Sequence, residues 1–152
     1  GNHGRMVEKG EGYYLNNWDY ITYHHMAQLC SQQSRISWHI PEDWYTILPV
    51  RHVNLLITHG DSCGGSDGVS SVKRAALKWS AAMQHSWDVL ICGHFHNPAW
   101  FAVNDKWVSI CGTVCSGDDF SLRVVKEQTP PSQRILVIKE GNYTIQVTDV
   151  RL

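Results

Sequence analysis

Three short segments of the chain place histidine or asparagine beside glycine, a composition typical of metal sites. They are Gly1-Asn2-His3, Thr58-His59-Gly60-Asp61 and Gly93-His94-Phe95-His96. Neutral imidazoles and an amide oxygen bind divalent transition metals, and glycine lets the backbone approach a bound ion closely. Phosphoester hydrolysis at neutral pH needs an activated water and neutralised phosphate charge, and a pair of metal ions supplies both. The three segments therefore point to metal-dependent phosphoester hydrolysis.

The second and third segments each follow an apolar run that is typical of a buried strand. These runs are Val53–Thr58 and Asp88–Cys92, and between them Val69 to Met83 carries apolar residues at helical spacing. A buried strand, a helix and a second buried strand predict α/β layering. In such folds, ligands collect beyond the carboxyl ends of the strands. The metal-type residues are therefore expected at that edge of the sheet.

The rest of the chain predicts a helix and several short strands. A loop precedes a helix from about Trp18 to Gln33, which Asn16 or Asn17 can cap, and Asp67 can cap the second helix. Asn104-Asp105 and Gly141-Asn142 are typical hairpin turns. Short strands are predicted over residues 36–40, 44–50, 100–103, 107–111, 134–139 and 143–148. The pattern is strand–helix–strand early and strand-rich late.

In their order along the chain, the three segments resemble the calcineurin-like metallophosphoesterase family. That family has five ordered motifs: Asp-x-His, Gly-Asp-x-x-Asp, Gly-Asn-His-Asp/Glu, a lone His after an apolar strand, and Gly-His-x-His. Gly1-Asn2-His3 resembles the third motif, His59 the fourth, and Gly93-His94-Phe95-His96 the fifth. The resemblance implies an α/β fold, a mixed two-sheet sandwich flanked by helices. Residues 1–152 would form a single partial domain that lacks the N-terminal βαβ part and the first two motifs.

The resemblance also implies roles for individual residues. Asn2, His59 and His94 would bind one metal ion, and His96 would bind the other. Asn2 would also steady charge, and His3 would assist the leaving group as a general acid or charge stabiliser. The implied cofactors are two divalent transition metal ions, manganese in the first place, with iron, zinc or nickel as alternatives. The aspartates of the first two motifs would complete such a site.

One position departs from the family pattern. Gly4 and then Arg5 follow Asn-His, where the family has Asp or Glu. Arg5 suits contact with a substrate phosphate, because the guanidinium fork matches phosphate oxygens. The Gly-Asn-His-Gly-Arg form is similar to phage and prophage-type members. Asp61, two residues after His59, is a candidate hydrogen-bond partner that would orient this ligand.

These observations favour a metal-dependent phosphoester hydrolase acting on a phosphodiester or nucleic acid. A small-molecule phosphatase or nucleotidase is the second enzymatic interpretation, so the expected substrate is a phosphoester, nucleic acid or nucleotide. The alternative from another class is a catalytically inert fragment or decayed domain that only binds metal or a partner chain. The absence of the first two motifs favours that alternative for the polypeptide as it stands.

The composition narrows the possible partners. The 152 residues suffice for about one domain, and charged residues make up 18% of them, below the usual share of about 25%. Low charge with 7 Trp and 6 Tyr suggests that surface is covered by another part of the domain or by an oligomer. A net charge of −1 indicates no broad attraction to nucleic acid. An apolar edge left by the missing βαβ part predicts poor solubility.

Cysteine usage and hydropathy indicate a cytoplasmic setting without a membrane span. Five cysteines form no disulfide framework, and no apolar run approaches the ~18 residues of a membrane helix. Cys92 and Cys111 are typical small core residues, and Cys111 with Cys115 is a weaker candidate for half of a zinc site. The remaining histidines match no motif and are interpreted as surface or core residues: His24, His25, His39, His52 and His85.

Overall fold

The computed structural model describes residues 1–8, 15–65, 67–115, 117, 122–123, 129–141 and 144–152. The chain divides into two compact units, Gly1–Tyr45 and Thr46–Leu152. Tyr143 and Asn142, which belong to a predicted strand and a predicted turn, lie outside the described residues. Across the described part of the chain, no helix is long and apolar enough to cross a membrane.

The first unit contains a short 3₁₀ helix, Asn2–Gly4, and the helix α1, Trp18–Leu29. Asn17 caps α1 as predicted, because its side chain accepts a hydrogen bond from the Asp19 amide. The predicted extension to Gln33 is wrong. After Leu29 the chain closes into turns, with the Gln33 amide bonded to the Cys30 carbonyl oxygen at 2.9 Å. The predicted strand over residues 36–40 is also wrong, since those residues join no ladder.

The core of the second unit is a five-stranded mixed sheet with the strand order β1-β2-β3-β5-β4. Its strands are β1 Tyr45–Val50, β2 Val53–Thr58, β3 Val89–Cys92, β4 Ala99–Val103 and β5 Lys106–Ile110. β2, β3 and β5 are parallel neighbours, whereas β4 pairs with β5 in the antiparallel sense. Asn104 turns the chain between β4 and β5 with a φ of 54°, which confirms the predicted hairpin.

The helix α2, Gly68–Ala82, connects β2 to β3, which makes the early strand–helix–strand pattern a true α/β unit. The Asp67 side chain caps it through the Ser70 amide, as predicted. Burial of Val72 and Ala76 follows from their helical spacing, and both are fully buried. α2 contacts β4 and β5. These contacts hold the helix against the central sheet.

A second sheet completes the sandwich. It consists of β6, Ser132–Ile138, and β7, Ile145–Arg151, in antiparallel register. Ile138 and Ile145 pack against Val53, Leu55 and Val89 of the central sheet. Leu56 and Leu90 alternate with those residues along the strands and are also fully buried, so both faces of the central sheet are covered. The predicted mixed two-sheet α/β fold is confirmed.

Arg134 of β6 provides the polar link between the two sheets. Its side chain is only 4% exposed. One guanidinium nitrogen donates to the carbonyl oxygens of Ala99 and Ile110, the latter at 3.2 Å, and to Ser109 Oγ at 3.3 Å. The other two donate to both carboxylate oxygens of Asp149, each at 2.6 Å. The pairing satisfies the buried charge and fixes β6 against the ends of β4 and β5.

Candidate metal centre

The ends of β2 and β3 bring the second and third segments together. Thr58 and Cys92, the last residues of these strands, are partners in the parallel ladder. His59 directly follows Thr58, and Gly93 directly follows Cys92. The Gly93 amide donates to the His59 carbonyl oxygen at 2.9 Å, which continues the ladder one step beyond the strands. The expected meeting at the carboxyl edge of the sheet is therefore observed.

The side chains of His59 and His94 face each other across this edge. His59 Nε2 lies 3.3 Å from His94 Nδ1. The ring centroids are 5.1 Å apart and the rings are inclined by 70°. Both histidines are half-buried. The pair is thus partly shielded from water while two ring nitrogens point at each other.

This nitrogen–nitrogen distance allows two arrangements. One ring can donate a hydrogen bond to the other, in which case the tautomers decide the direction. Alternatively, both lone pairs can point at one cation. Two imidazole nitrogens, each about 2.0–2.1 Å from a tetrahedral ion, lie roughly 3.3–3.4 Å apart. The observed 3.3 Å between His59 Nε2 and His94 Nδ1 therefore fits two ligands of one metal ion.

The backbone of the loop that carries His94 and His96 is left-handed at both histidines. His94 has a φ of 68° and His96 a φ of 61°. The Phe95 amide donates to the Gly93 carbonyl oxygen at 2.8 Å, which closes a three-residue turn around His94. The turn arises because the chain must reverse as soon as β3 ends. Such left-handed conformations are strained for residues with a side chain and often occur at functional sites.

Gly60 makes the close approach of the two loops possible. Its φ is 112°, and a Cβ atom there would lie 3.1 Å from the Gly93 carbonyl oxygen and 3.2 Å from His94 Cβ. At Gly93, by contrast, a Cβ would make only an ordinary contact of 3.7 Å with the His59 carbonyl oxygen. The sequence directed attention to Gly93, whereas Gly60 is where glycine is required. The signal was a glycine directly after a strand-terminal histidine.

His96 lies farther along the same loop and is exposed. Its carbonyl oxygen accepts a hydrogen bond from Thr129 Oγ1 at 3.0 Å, which ties the loop to the segment before β6. No three or more His, Cys, Asp or Glu side chains of the described residues are grouped so that they could hold a metal ion. The structure therefore brings His59 and His94 together as a pair, and the roles predicted for His96 and Asp61 stay predictions.

Asp61 begins a short 3₁₀ helix, Asp61–Cys63, which starts two residues after His59. Burial raises the pKa of the Cys63 thiol to about 11, and the negative charge of Asp61 contributes in the same direction. Burial also raises the pKa values of Cys92 and Cys111 at the ends of β3 and β5. These thiols stay protonated at neutral pH, as expected of small core residues. All five cysteines are free.

The first unit carries Asn2, His3 and Arg5. Asn2 is half-buried in the 3₁₀ helix, and His3 is exposed. A Cβ atom at Gly4 would clash with Asn17 Oδ1 and would lie 2.8 Å from Asp19 Oδ1. An aspartate or glutamate at position 4 would therefore require the Asn17 and Asp19 side chains to move.

Asn17 joins this loop to α1. It is 3% exposed and combines three interactions. Its Oδ1 caps the helix at the Asp19 amide, its Nδ2 donates to the Gly1 carbonyl oxygen at 2.8 Å, and its backbone forms an antiparallel bridge with Arg5. The loop that carries the Asn-His pair is thereby held by the start of the helix. Sequence reasoning identified the cap but missed its link to the loop.

No protein-family model matches the chain, and no curated protein sequence is significantly similar to it. Similar solved structures include vacuolar protein sorting 29 from Cryptosporidium parvum, at 16% identity and a TM-score of 0.46 over 72% of this chain. The Zn²⁺ complex of Vps29 from Entamoeba histolytica has 13% identity and a TM-score of 0.48 over 76% of this chain. An archaeal phosphodiesterase has 17% identity and a TM-score of 0.37 over 71%.

The chain spans only part of these proteins: 58% of the Cryptosporidium chain, 67% of the Entamoeba chain and 52% of the archaeal phosphodiesterase. All three TM-scores are below 0.5. What the chain does therefore has to follow from its own residues.

Proposed function

We propose that this chain forms part of a metal-dependent phosphoester hydrolase. The observation that carries the proposal is the 3.3 Å separation of His59 Nε2 and His94 Nδ1 at the carboxyl edge of the central sheet. This separation matches that of two imidazole nitrogens bound to one tetrahedral ion. The same edge is where α/β folds bind their ligands.

The residues of this pair fit a divalent transition metal. His59 would donate through Nε2 and His94 through Nδ1, because those are the nitrogens that face each other. When bound, metal ions supply Lewis-acid activation of water and neutralise phosphate charge. Manganese is the first candidate, and imidazole ligands also suit iron, zinc and nickel. The proposal of a second ion, bound by His96, rests on the motif alone.

The chain's other candidate residues would act on the phosphoester itself. Arg5 would bind phosphate oxygens through its guanidinium fork. His3, which is exposed, would give a proton to the departing oxygen. Asn2 would contribute an amide oxygen as a ligand. For Asn2, His3 and Arg5 the proposal rests on the resemblance of Gly1-Asn2-His3 to the third family motif.

Metal binding is the first test. The full chain is titrated with Mn²⁺ and with Zn²⁺, and the double variant His59→Ala, His94→Ala is titrated in parallel. Loss of both ligands is expected to lower affinity by at least about a hundredfold, since each imidazole contributes directly to binding. His85→Ala, which removes an exposed histidine outside all motifs, is the matched control and is expected to bind like the wild type. Equal metal affinity in the double variant and the wild type would show that His59 and His94 do not bind the ion.

The substrate class is the second test. We favour a phosphodiester or nucleic acid over a phosphomonoester because Arg5 provides a phosphate contact beside the Asn-His pair. Hydrolysis of bis(4-nitrophenyl) phosphate, 4-nitrophenyl phosphate and single-stranded DNA is compared for the protein with Mn²⁺. Faster turnover of the diester and the DNA is expected. Turnover of the monoester alone would assign a phosphatase or nucleotidase instead.

A second candidate function is metal or partner binding without catalysis. It is favoured by the pairwise character of the site, because His59 and His94 have no third His, Cys, Asp or Glu grouped with them among the described residues. The same titrations distinguish the candidates. Metal binding that depends on His59 and His94, with no hydrolysis of any of the three substrates, would establish the non-catalytic function.

A further inference from the structure

Phe95 occupies the position between the two histidines of the loop and contacts one of them. Its ring lies 5.1 Å from the His94 ring, centroid to centroid, with an angle of 78° between the planes. This edge-to-face arrangement is a favourable aromatic contact. The orientation of the His94 ring is therefore coupled to the placement of Phe95.

Phe95 in turn rests on the first residue of α2. A Cβ atom at Gly68 would lie 3.0 Å from both Cβ and Cγ of Phe95 and 3.3 Å from its Cδ1. The Phe95 side chain therefore lies directly on the backbone of the helix, and a side chain at position 68 would require Phe95 to shift by a few tenths of an ångström. Val72 and Ala76 of the same helix are fully buried, so Phe95 is supported by an element that the core holds in place.

The loop needs external support. His94 and His96 both adopt left-handed backbone conformations, which are unfavourable for residues with a side chain. Hydrogen bonds that hold this backbone include the one from the Phe95 amide to the Gly93 carbonyl oxygen and the one from Thr129 Oγ1 to the His96 carbonyl oxygen. Phe95 lies between His94 and His96 in the chain, and its ring contacts the His94 ring.

We propose that Phe95, seated on Gly68, is a positioning residue of the metal site. The contact holds the histidine loop so that His94 Nδ1 faces His59 Nε2. This inference rests on the proposed function, in which the two nitrogens share one ion. It adds the start of α2 to the site, although no atom of that helix is itself a metal ligand.

The test is Co²⁺ titration of the full chain, followed by the visible absorption bands of the bound ion. In Gly68→Ala the new methyl group displaces Phe95 and hence His94, while both ligands remain. Co²⁺ affinity is expected to fall about tenfold, as for other residues that orient a ligand, and the absorption bands are expected to shift. Val69→Ala, an exposed neighbour in the same helical turn, is the control and should leave both unchanged.

A second variant covers the case in which Gly68→Ala does not fold. Phe95→Ala leaves α2 intact and is also expected to lower Co²⁺ affinity about tenfold. Because both changes act through one contact, the double variant should lose less affinity than the product of the single losses. Wild-type affinity and spectrum in both single variants would overturn the inference, and additive losses would show that the two residues act separately.

Failure of the proposed function gives a different result. If the wild-type chain binds no Co²⁺, the metal proposal is wrong. The positioning role is then read from imidazole ¹⁵N shifts of the metal-free protein, in which the His59–His94 contact is a hydrogen bond. A change of the His94 Nδ1 shift in Gly68→Ala would support the role, and unchanged shifts would overturn it.

Discussion

Two polar clusters of the second unit differ in how their charges and lone pairs are satisfied. The Arg134 cluster consists of the Arg134 guanidinium, the Asp149 carboxylate, Ser109 Oγ and the carbonyl oxygens of Ala99 and Ile110. In it, every guanidinium nitrogen has an acceptor. In the histidine pair, two ring nitrogens that can both accept are held 3.3 Å apart.

The difference teaches how a structural cluster is told apart from a candidate binding site. A buried group whose partners all belong to the same chain has no donor or acceptor left for a ligand, and removal of one partner leaves the others unsatisfied. Two imidazoles that face each other can satisfy both lone pairs only with a proton or a cation. The loop that holds them also carries two left-handed residues, whereas the strands around Arg134 are regular. Backbone strain and the facing ring nitrogens coincide at the same edge of the sheet.

The largest effect is expected from breaking the Arg134 cluster. Arg134→Met leaves buried carbonyl oxygens without donors, and the free energy of unfolding should fall by about 3 kcal/mol. Urea unfolding at neutral pH measures it. Arg51→Met is the control, since Arg51 and Glu140 form an exposed ion pair whose loss should cost about 0.5 kcal/mol. Equal losses in the two variants would contradict the structural role of Arg134.

Gly60→Ala changes the loops that hold the histidine pair. The positive φ and the contacts with the Gly93 carbonyl oxygen and His94 Cβ should together cost about 2 kcal/mol of unfolding free energy. Metal affinity should fall as well, because His94 is displaced. Gly64→Ala is the matched control. Gly64 also has a positive φ but no atom within 4 Å of its would-be Cβ, so about 1 kcal/mol and unchanged metal affinity are expected.

Asn17→Ala tests the support of the Asn-His loop. Loss of the helix cap should cost about 1 kcal/mol of helix stability. Amide hydrogen exchange should accelerate at Asp19, because its amide donates to Asn17 Oδ1. It should also accelerate at Met6, whose amide donates to the Asn16 carbonyl oxygen at 3.0 Å. Asn16→Ala changes an exposed side chain and should leave both rates unaltered. Protection of Met6 in Asn17→Ala would show that the loop is held by other contacts.

The smallest expected effect is the change that Cys63 makes to the pH dependence of stability. The pKa of Cys63 rises from 9.0 to about 11 on folding, so its neutral form is favoured in the native state. Its contribution to stability is complete below pH 9 and is lost as pH rises towards 11. Cys63→Ala should therefore weaken the decline of unfolding free energy between pH 9 and 10.5. In the wild type at pH 8, iodoacetamide should modify exposed Cys115 well before Cys63.

Sequence patterns predicted the central α/β unit because each signal there is local. The apolar run before His59, the helical spacing of α2 and the Asp67 cap all correspond to observed elements. The strand ends predicted the meeting of His59 and His94, because parallel neighbours end at a common edge. The helix ends at Leu29 because turn hydrogen bonds follow it, and the periodicity of apolar residues does not encode these bonds. The predicted strand over residues 36–40 does not form because it has no partner strand in the described part of the chain, which periodicity does not encode either.

The contacts that complete the site were not predictable in the same way. Gly60, Gly68 and Phe95 matter because of distances between segments that lie far apart along the chain. The same holds for Arg134, which appeared only as the start of a predicted strand. A single sequence shows residue types and spacing, whereas steric limits on a Cβ atom depend on the tertiary structure. Motif resemblance predicted which histidines to consider, and it did not predict how they are supported.

The most direct test of the central claim is the imidazole ¹⁵N spectrum of the full chain with and without one equivalent of Zn²⁺. If His59 and His94 share one ion, the signals of His59 Nε2 and His94 Nδ1 will move together to the range of metal-bound nitrogens. The signals of exposed His24, His25 and His85 will not change. A spectrum in which the His59 and His94 signals stay unchanged, or in which other histidines bind the ion first, would contradict the claim.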